Sequence, residues 1–494
     1  MNRVQNLALV LVVAGVLGLV GFAEAQTAPP TPPMPPATTP TAADAPAPKA
    51  VPPTEKAAGK SYFVPALDIV GLDVLLNRFN YYAVDKAVYG TTLSTIKRNA
   101  TGKWVADTDP FAMNQFYHPY QGSIYFGFAR SAGLNYWESL GYTFAGSLLW
   151  EIAGETGPPS YNDQITTGLS GTFLGESLFR TASFLMEGGD GPPNFLRRLG
   201  GALISPATGI NRLIYGDRFD SVFPSRSPAI FARVRLGVSR TDHVSQEGVA
   251  QAVNRREVTA DFQLAYGMPG KPGYSYTRPF DYFDFQFTAV NSNVFENIMT
   301  RGLLAGTDYE AGDTYRGVWG LYGNYDYISP QIFRVSSTAL CLGTTGEWRF
   351  SRAVHLQGTL LGGLGYGAAG ITHSSSAERD YHYGATPQAL VSLRLLFGNV
   401  ANLDMTARGY YVSGVASTEN RGSERIARGD AALTVRISNH HTVTLKYIAS
   451  RRDAYYPDLP DRHQTIGTFS LLYGLISDTK LGAVHWRRKA AAGR

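Results

Sequence analysis

A single cysteine, Cys341, stands among 494 residues. That excludes an intramolecular disulfide framework and any zinc site built from several thiolates. Beyond the N-terminus no stretch offers about 20 apolar residues in a row, so helical membrane spans are not expected there. Charge is scarce too. Asp, Glu, Lys and Arg make up 17% of the chain and the net charge is only +5, whereas a nucleic-acid-binding protein would want a concentrated basic face.

What is abundant points elsewhere. The chain holds 53 Gly, 29 Tyr and 25 Phe, a mixture that suits short strands, many turns and girdles of interfacial aromatics. Its length favours two or more folded units. Residues 1–25 read as a secretory signal: Arg3 is the charged head, Leu7 to Phe22 the apolar core, and Ala23-Glu24-Ala25 the cleavage site. The mature chain is expected to start at Gln26, and no cysteine follows the site to carry a lipoprotein anchor. Residues 26–60 are rich in Pro, Ala and Thr and are expected to form a disordered spacer.

Residues 61–220 change texture. Val64 to Tyr82 repeats its apolar residues at helical spacing. Small residues recur every fourth position at Ser123, Gly127 and Ser131, at Gly141 and Ala145, and at Gly171 and Gly175. Such spacing lets helices approach closely, so four to six compact helices are expected.

From Ala229 the period drops from 3.6 to 2. Ile230, Ala232, Val234 and Leu236 share one face, while Arg233 and Arg235 share the other. Phe283, Phe285 and Phe287 likewise oppose Asp284 and Gln286, and Val443, Leu445 and Tyr447 oppose Thr444 and Lys446. Charged residues at mid-strand suit a wet lumen, and segments of about 9 to 15 residues exceed common globular strands. About twelve strands are expected over 228–488, with tight turns near Ser351, Gly398-Asn399 and Asn439-His440. Long connections are expected at 240–254, 368–385, 414–425 and 452–463. The fold class is thus α+β: a compact helical domain, then an antiparallel transmembrane β-barrel of about twelve strands. The helices are expected on the periplasmic side, or as a plug in the lumen.

One stretch of the helical region is dense in chemistry. It runs Trp104, Asp107, Asp109-Pro110-Phe111, Asn114-Gln115, His118-Pro119-Tyr120, Gly122-Ser123 and Arg130, then Trp150-Glu151, Glu155, Pro159-Ser160, Asn162-Asp163 and Gly175-Glu176. Over residues 85–195 this resembles the bacterial domain-of-unknown-function family 3943. The resemblance implies an envelope protein and supplies no reaction. Within it, Glu151 and Glu155 lie on one helix face, and His118 precedes Pro119 at a helix start. Ser160 and Asp163 follow Pro158-Pro159, where either can cap a helix. Folded together, His118, Glu151, Glu155 and Asp163 could form a general acid/base site, with His118 as base, Glu151 as its orienter and Ser160 as nucleophile. The structural reading makes Ser160 and Asp163 caps and lets Asn114, His118 and Arg130 tie helices together, with Arg130 and Arg180 neutralising buried carboxylates. Asn114 and Arg130 are also candidate ligand-binding residues. No metal site and no cofactor is assigned.

Weaker candidates are Thr372-His373-Ser374 in an outer loop, the glycines of 362–367 in a strand, and His440-His441 in a turn. The leading expectation is a non-enzymatic outer-membrane protein, structural or concerned with passage or binding of lipids or small solutes. The alternative is a membrane-embedded lipid or cell-wall hydrolase using His118 and Glu151. Expected partners are outer-membrane lipids, the barrel-assembly machinery during biogenesis, and a small solute or lipid; nucleic acid is not expected.

Overall fold

A computed structural model describes residues 59–107, 109–187, 193–216, 228–245, 254–330, 333–371, 381–416, 422–457 and 459–484. The expected signal and spacer lie outside these, apart from Gly59 and Lys60, as does Thr372-His373-Ser374.

Twelve antiparallel strands pair in sequence order, and the last closes on the first. They are β1 (Ile230–Ser245), β2 (Asn254–Tyr266), β3 (Phe283–Val290), β4 (Asn293–Ala311), β5 (Tyr315–Ile328) and β6 (Phe333–Arg349). Then follow β7 (Val354–Ile371), β8 (Tyr381–Phe397), β9 (Ala401–Val412), β10 (Ser423–Ser438), β11 (His441–Tyr456) and β12 (Leu459–Ile476). The expected tight turns are present, and Asn439 takes a left-handed conformation (φ 37°) in one of them, as Asn tolerates better than most residues. Two connections differ from expectation. The long loop expected at 452–463 is mostly strand, because β11 and β12 extend until two residues separate them, and β3 turns into β4 within Asn291-Ser292. We call the end where β1 begins and β12 finishes the terminal end, and the other the far end.

The lumen is identified by ion pairs that reach between non-neighbouring strands. Lys446 of β11 meets Asp261 of β2 at 2.8 Å, and Arg233 of β1 meets Asp404 of β9, which also holds Arg394 at 2.6 Å. Arg408 of β9 approaches Asp326 of β5 at 3.5 Å. Such contacts exist only across the interior. The lumen is also packed. Around this charged belt lies a polar cavity of about 100 Å³ lined by Arg233, Arg235, Asp261, Asp284, Arg301 and Asp404 among others. Toward the far end Ile328, Phe333, Val335, Tyr410 and Ile426 form an apolar layer. At the terminal end Phe231, Leu396 and Ile476 close on Leu481 and Val484 of the tail.

The helices are α1 (Phe63–Ala83), α2 (Lys86–Tyr89), α3 (Leu93–Thr101), α4 (His118–Ser131) and α5 (Tyr136–Ala153), then α6 (Tyr161–Ile165), α7 (Gly171–Glu187), α8 (Phe195–Ile204) and α9 (Pro206–Tyr215). Two π-helical segments, Met113–Tyr117 and Thr166–Ser170, lead into α4 and α7.

This domain does not plug the barrel; it stands against the outside of its wall. Its partners are the residues that alternate with the lumenal ones. Tyr325, whose hydroxyl donates to the Gln115 carbonyl at 2.6 Å, neighbours lumenal Asp326. Ser177 meets Thr300 at 2.6 Å, between Met299 and lumenal Arg301. Phe173 of α7 sits so closely on β5 that a Cβ on Gly323 would lie 2.5 Å from its ring, and such glycines mark close approach of another element. The plug alternative is therefore corrected: polar side chains already fill the interior, while the outward Phe and Tyr side chains of β2–β5 give the helices an apolar wall. The contrast around the circumference is large. Phe285 under the helices is 9% exposed and Leu471 on the bare side 48%. The docked domain extends along the wall from Arg180–Asp281 (3.2 Å) near the terminal end to the bond from the Tyr161 hydroxyl to the Ala416 carbonyl (3.0 Å) at the far end.

Candidate functional site

The helix that carries His118 is positioned by a backbone crossing. A Cβ on Gly122 would lie 2.0 Å from the Thr167 carbonyl oxygen, so α4 touches the second π segment with nothing between. That crossing brings His118 Nδ1 to 3.4 Å from Thr167 Oγ1 and His118 Nε2 to 3.9 Å from Asp163 Oδ2. Both π segments therefore meet at this histidine, and π bulges are frequent at functional sites.

Around Asp163 the polar groups are buried and bonded to one another. The Ser160 amide donates to Glu151 Oε2 at 2.7 Å, and the Asp163 amide donates to Ser160 Oγ at 3.2 Å. Ser160 caps α6, as the structural reading expected. Its hydroxyl lies 2.8 Å from Asn162 Oδ1, to which it donates. Glu151 is held by this backbone contact, and Glu155 accepts from Trp150 Nε1 at 3.2 Å. The Asp107 amide donates to Asn162 Oδ1 at 2.7 Å. Burial pushes the carboxyls of Asp107 and Asp163 up to about 7; nearby acids add to this, while the bond between the two raises Asp107 and lowers Asp163. Burial also raises Glu155 above the usual carboxylate range.

The barrel completes the site. Asn114 Nδ2 bridges the hydroxyls of Tyr381 (3.1 Å) and Tyr383 (2.9 Å) on the outer face of β8. Asn162 Nδ2 also donates to Tyr383, at 2.9 Å, and the Tyr381 hydroxyl donates to the Asp109 carbonyl at 2.6 Å.

Arg130 does not join this cluster. It lies 12 residues along α4 from His118, about 18 Å at 1.5 Å per residue. There it makes a two-point pair with Glu176 (2.8 and 3.2 Å), which also binds Arg180 at 2.7 Å. Both arginines thus neutralise buried carboxylates, as the structural reading expected, those being Glu176 and Asp281. Among the described residues no group of three or more His, Cys, Asp or Glu is placed to hold a metal ion. His440 and His441 turn to the Ile476 carbonyl and the Tyr473 hydroxyl, respectively. Sequence reasoning missed Asn162, Thr167, Tyr381 and Tyr383 as members of the site. The tyrosines follow Tyr161 by more than two hundred positions, and no local spacing links them.

Residues 103–207 match a family model described as a domain of unknown function, DUF3943. No functionally curated protein matches the chain. The resemblance read from the motif thus holds for the helical half, and the barrel half carries no family name. Solved structures that align include a loop-deletion mutant of OmpT, an outer membrane protein of Vibrio cholerae, at 8% identity over 50% of this chain and 99% of that one, TM-score 0.20. The translocator domain of the autotransporter NalP from Neisseria meningitidis aligns at 17% identity over 49% and 88%, TM-score 0.23. The outer membrane protease OmpT from Escherichia coli aligns at 9% over 51% and 98%, TM-score 0.18. Scores this low carry no argument, and the barrel rests on its own strand pairing.

Proposed function

We propose that this is an outer-membrane protein that binds lipid where its helical domain meets the barrel wall, rather than passing solute through the lumen. The observation that carries the reading is the placement of the helices on the apolar outside of a barrel whose interior is filled. The bare outer face, with Leu445, Leu471 and Tyr473 exposed, suits hydrocarbon. Four of the terminal-end connections are tight turns, the β2–β3 connection being the long exception, and long connections follow β1, β7 and β9 at the far end, which suits the outer surface there. On that orientation the His118–Asp163 cluster lies toward the outer leaflet. Its uncompensated acids and the hydroxyls of Tyr381 and Tyr383 suit a polar lipid headgroup.

Native mass spectrometry of the detergent-extracted protein tests this. Bound envelope lipid is expected on the wild type and reduced at least several-fold in Asn114→Ala. A protein that carries no lipid, or carries it equally in the variant, ends the proposal. The packed lumen adds a second expectation: no steady conductance in planar bilayers. Stepwise openings in the intact protein would restore the solute-passage reading.

A hydrolytic reading retains one favourable observation, the buried imidazole of His118 beside Asp163. If deleting the protein leaves the envelope lipid profile unaltered, and His118→Ala changes nothing in cells, it should be dropped.

A further inference from the structure

The helical domain keeps a buried apolar core, Phe126, Phe128 and Phe173 among it, yet its outermost helices also turn apolar side chains outward. On α1 the side turned to the protein carries Asp73 (6% exposed) and Asn77 as well as Val64 and Ile69, while Phe63 (74%), Leu67, Val74, Leu75 and Phe79 (66%) face away. Asp73 accepts a hydrogen bond from Tyr125, and Asn77 donates to the Gly154 carbonyl at 2.7 Å. Helices α8 and α9 repeat the arrangement. They bury Gly200, Gly201, Thr208 and Asn211 and expose Leu196, Leu199, Leu213 and Ile214. A domain bathed in water would reverse this pattern, since soluble chains rarely leave contiguous apolar patches above a few hundred Å².

We infer that the outer surface of the helical domain lies in bilayer hydrocarbon, so that helices replace bare strand as the lipid-facing perimeter over part of the barrel. This rests on the outer-membrane reading above. Two observations select lipid as the occupant. First, the helices cover the wall of β2–β5, and the exposed apolar belt of the barrel continues on the strands they leave bare, through Leu433, Leu445 and Leu471. Second, polar groups bracket the apolar face of α1. Lys60 pairs with Glu138 at 2.6 Å beside Tyr62 before it, and Arg78 stacks on Tyr81 near Lys86 after it. From Tyr62 to Arg78 is 16 residues, about 24 Å at 1.5 Å per residue, against an apolar band about 25 Å tall on outer-membrane barrels. Tyrosines with charged neighbours at both levels are what two membrane–water interfaces select. No helix of the described residues is long and apolar enough to cross a membrane by itself. The inward faces of these helices bond to the protein through Asp73, Asn77 and Asn211.

The test uses the full chain with Cys341→Ser, reconstituted in vesicles of phosphatidylethanolamine and phosphatidylglycerol. Single nitroxides are placed at Val74 and Leu213, with Leu471 on the bare barrel belt as reference. Collision rates with oxygen, which partitions into lipid, and with a water-soluble nickel chelate are compared. All three sites are expected to favour oxygen, the two helical sites matching Leu471 within about twofold. Nickel access at Val74 and Leu213 with Leu471 in lipid would overturn this inference alone. Nickel access at all three would sink the outer-membrane reading with it. Spin–spin broadening at Val74 that vanishes on dilution with unlabelled chain would assign the face to a second copy and also overturn the inference.

Discussion

Glu176 is the residue on which the helical domain's charge balance turns. It is fully buried between Arg130 and Arg180, and Arg180 continues to Asp281 in the β2–β3 connection. Removing one partner of such a network leaves charge buried without compensation and costs about 3–5 kcal/mol. Glu176→Gln is therefore expected to lower the unfolding free energy of the helical domain by that amount, read as a lower urea midpoint followed by tryptophan fluorescence. Asp163 makes the opposite case, because the basic group beside its carboxyl, His118 at 3.9 Å, is itself pushed toward the neutral form by burial. With its folded value at about 7 and an ordinary carboxylate value when unfolded, the folded state binds more protons between about pH 4 and pH 7. Stability then falls as pH rises through that window and levels off above it. In Asp163→Asn the loss of thermal midpoint from pH 5 to pH 8 is expected to be clearly smaller than in the wild type; an unchanged slope would show that the proton sits elsewhere. At this scale sequence legibility was uneven. Ser160 was readable as a cap because it follows two prolines and sits three residues before Asp163. The partner of Arg130 was less legible: His118 and Arg130 share a helix but occupy opposite ends of it, and the arginine pairs with Glu176 of another helix.

Among elements, the strands were the most legible, since a period of two survives wherever one face is apolar and the other charged. That alternation places Phe285 and Asp284 on opposite faces but does not say whether lipid or protein covers the apolar one. The same pattern hid the extension of β11 and β12 through residues 452–463, where Arg452 turns inward to Glu424 at 2.6 Å. The π segments left no sequence signal, because the extra residue is absorbed by contacts with other elements. Small-residue spacing did mark the helix crossings. Gly122→Val is expected to push α4 off the second π segment, costing at least about 1–3 kcal/mol as overpacking does. It should also reduce lipid retention as Asn114→Ala would, and a variant with wild-type stability would mean that this backbone contact is not made.

For the whole molecule, topology and lumen followed from the sequence pattern, whereas the seating of one half on the other did not. Docking depends on glycines such as Gly323 and on hydroxyl pairs such as Ser177–Thr300, which carry no periodicity. The central claim is that the helices lie outside the wall, and one cross-link measures it. Ser177 and Thr300 are replaced together by cysteine in a Cys341→Ser background, their side-chain oxygens being 2.6 Å apart, and the folded protein is oxidised. A disulfide is expected between them and not between cysteines at Ser177 and lumen-facing Arg301; bonding to Arg301 instead, or to neither, would contradict the arrangement.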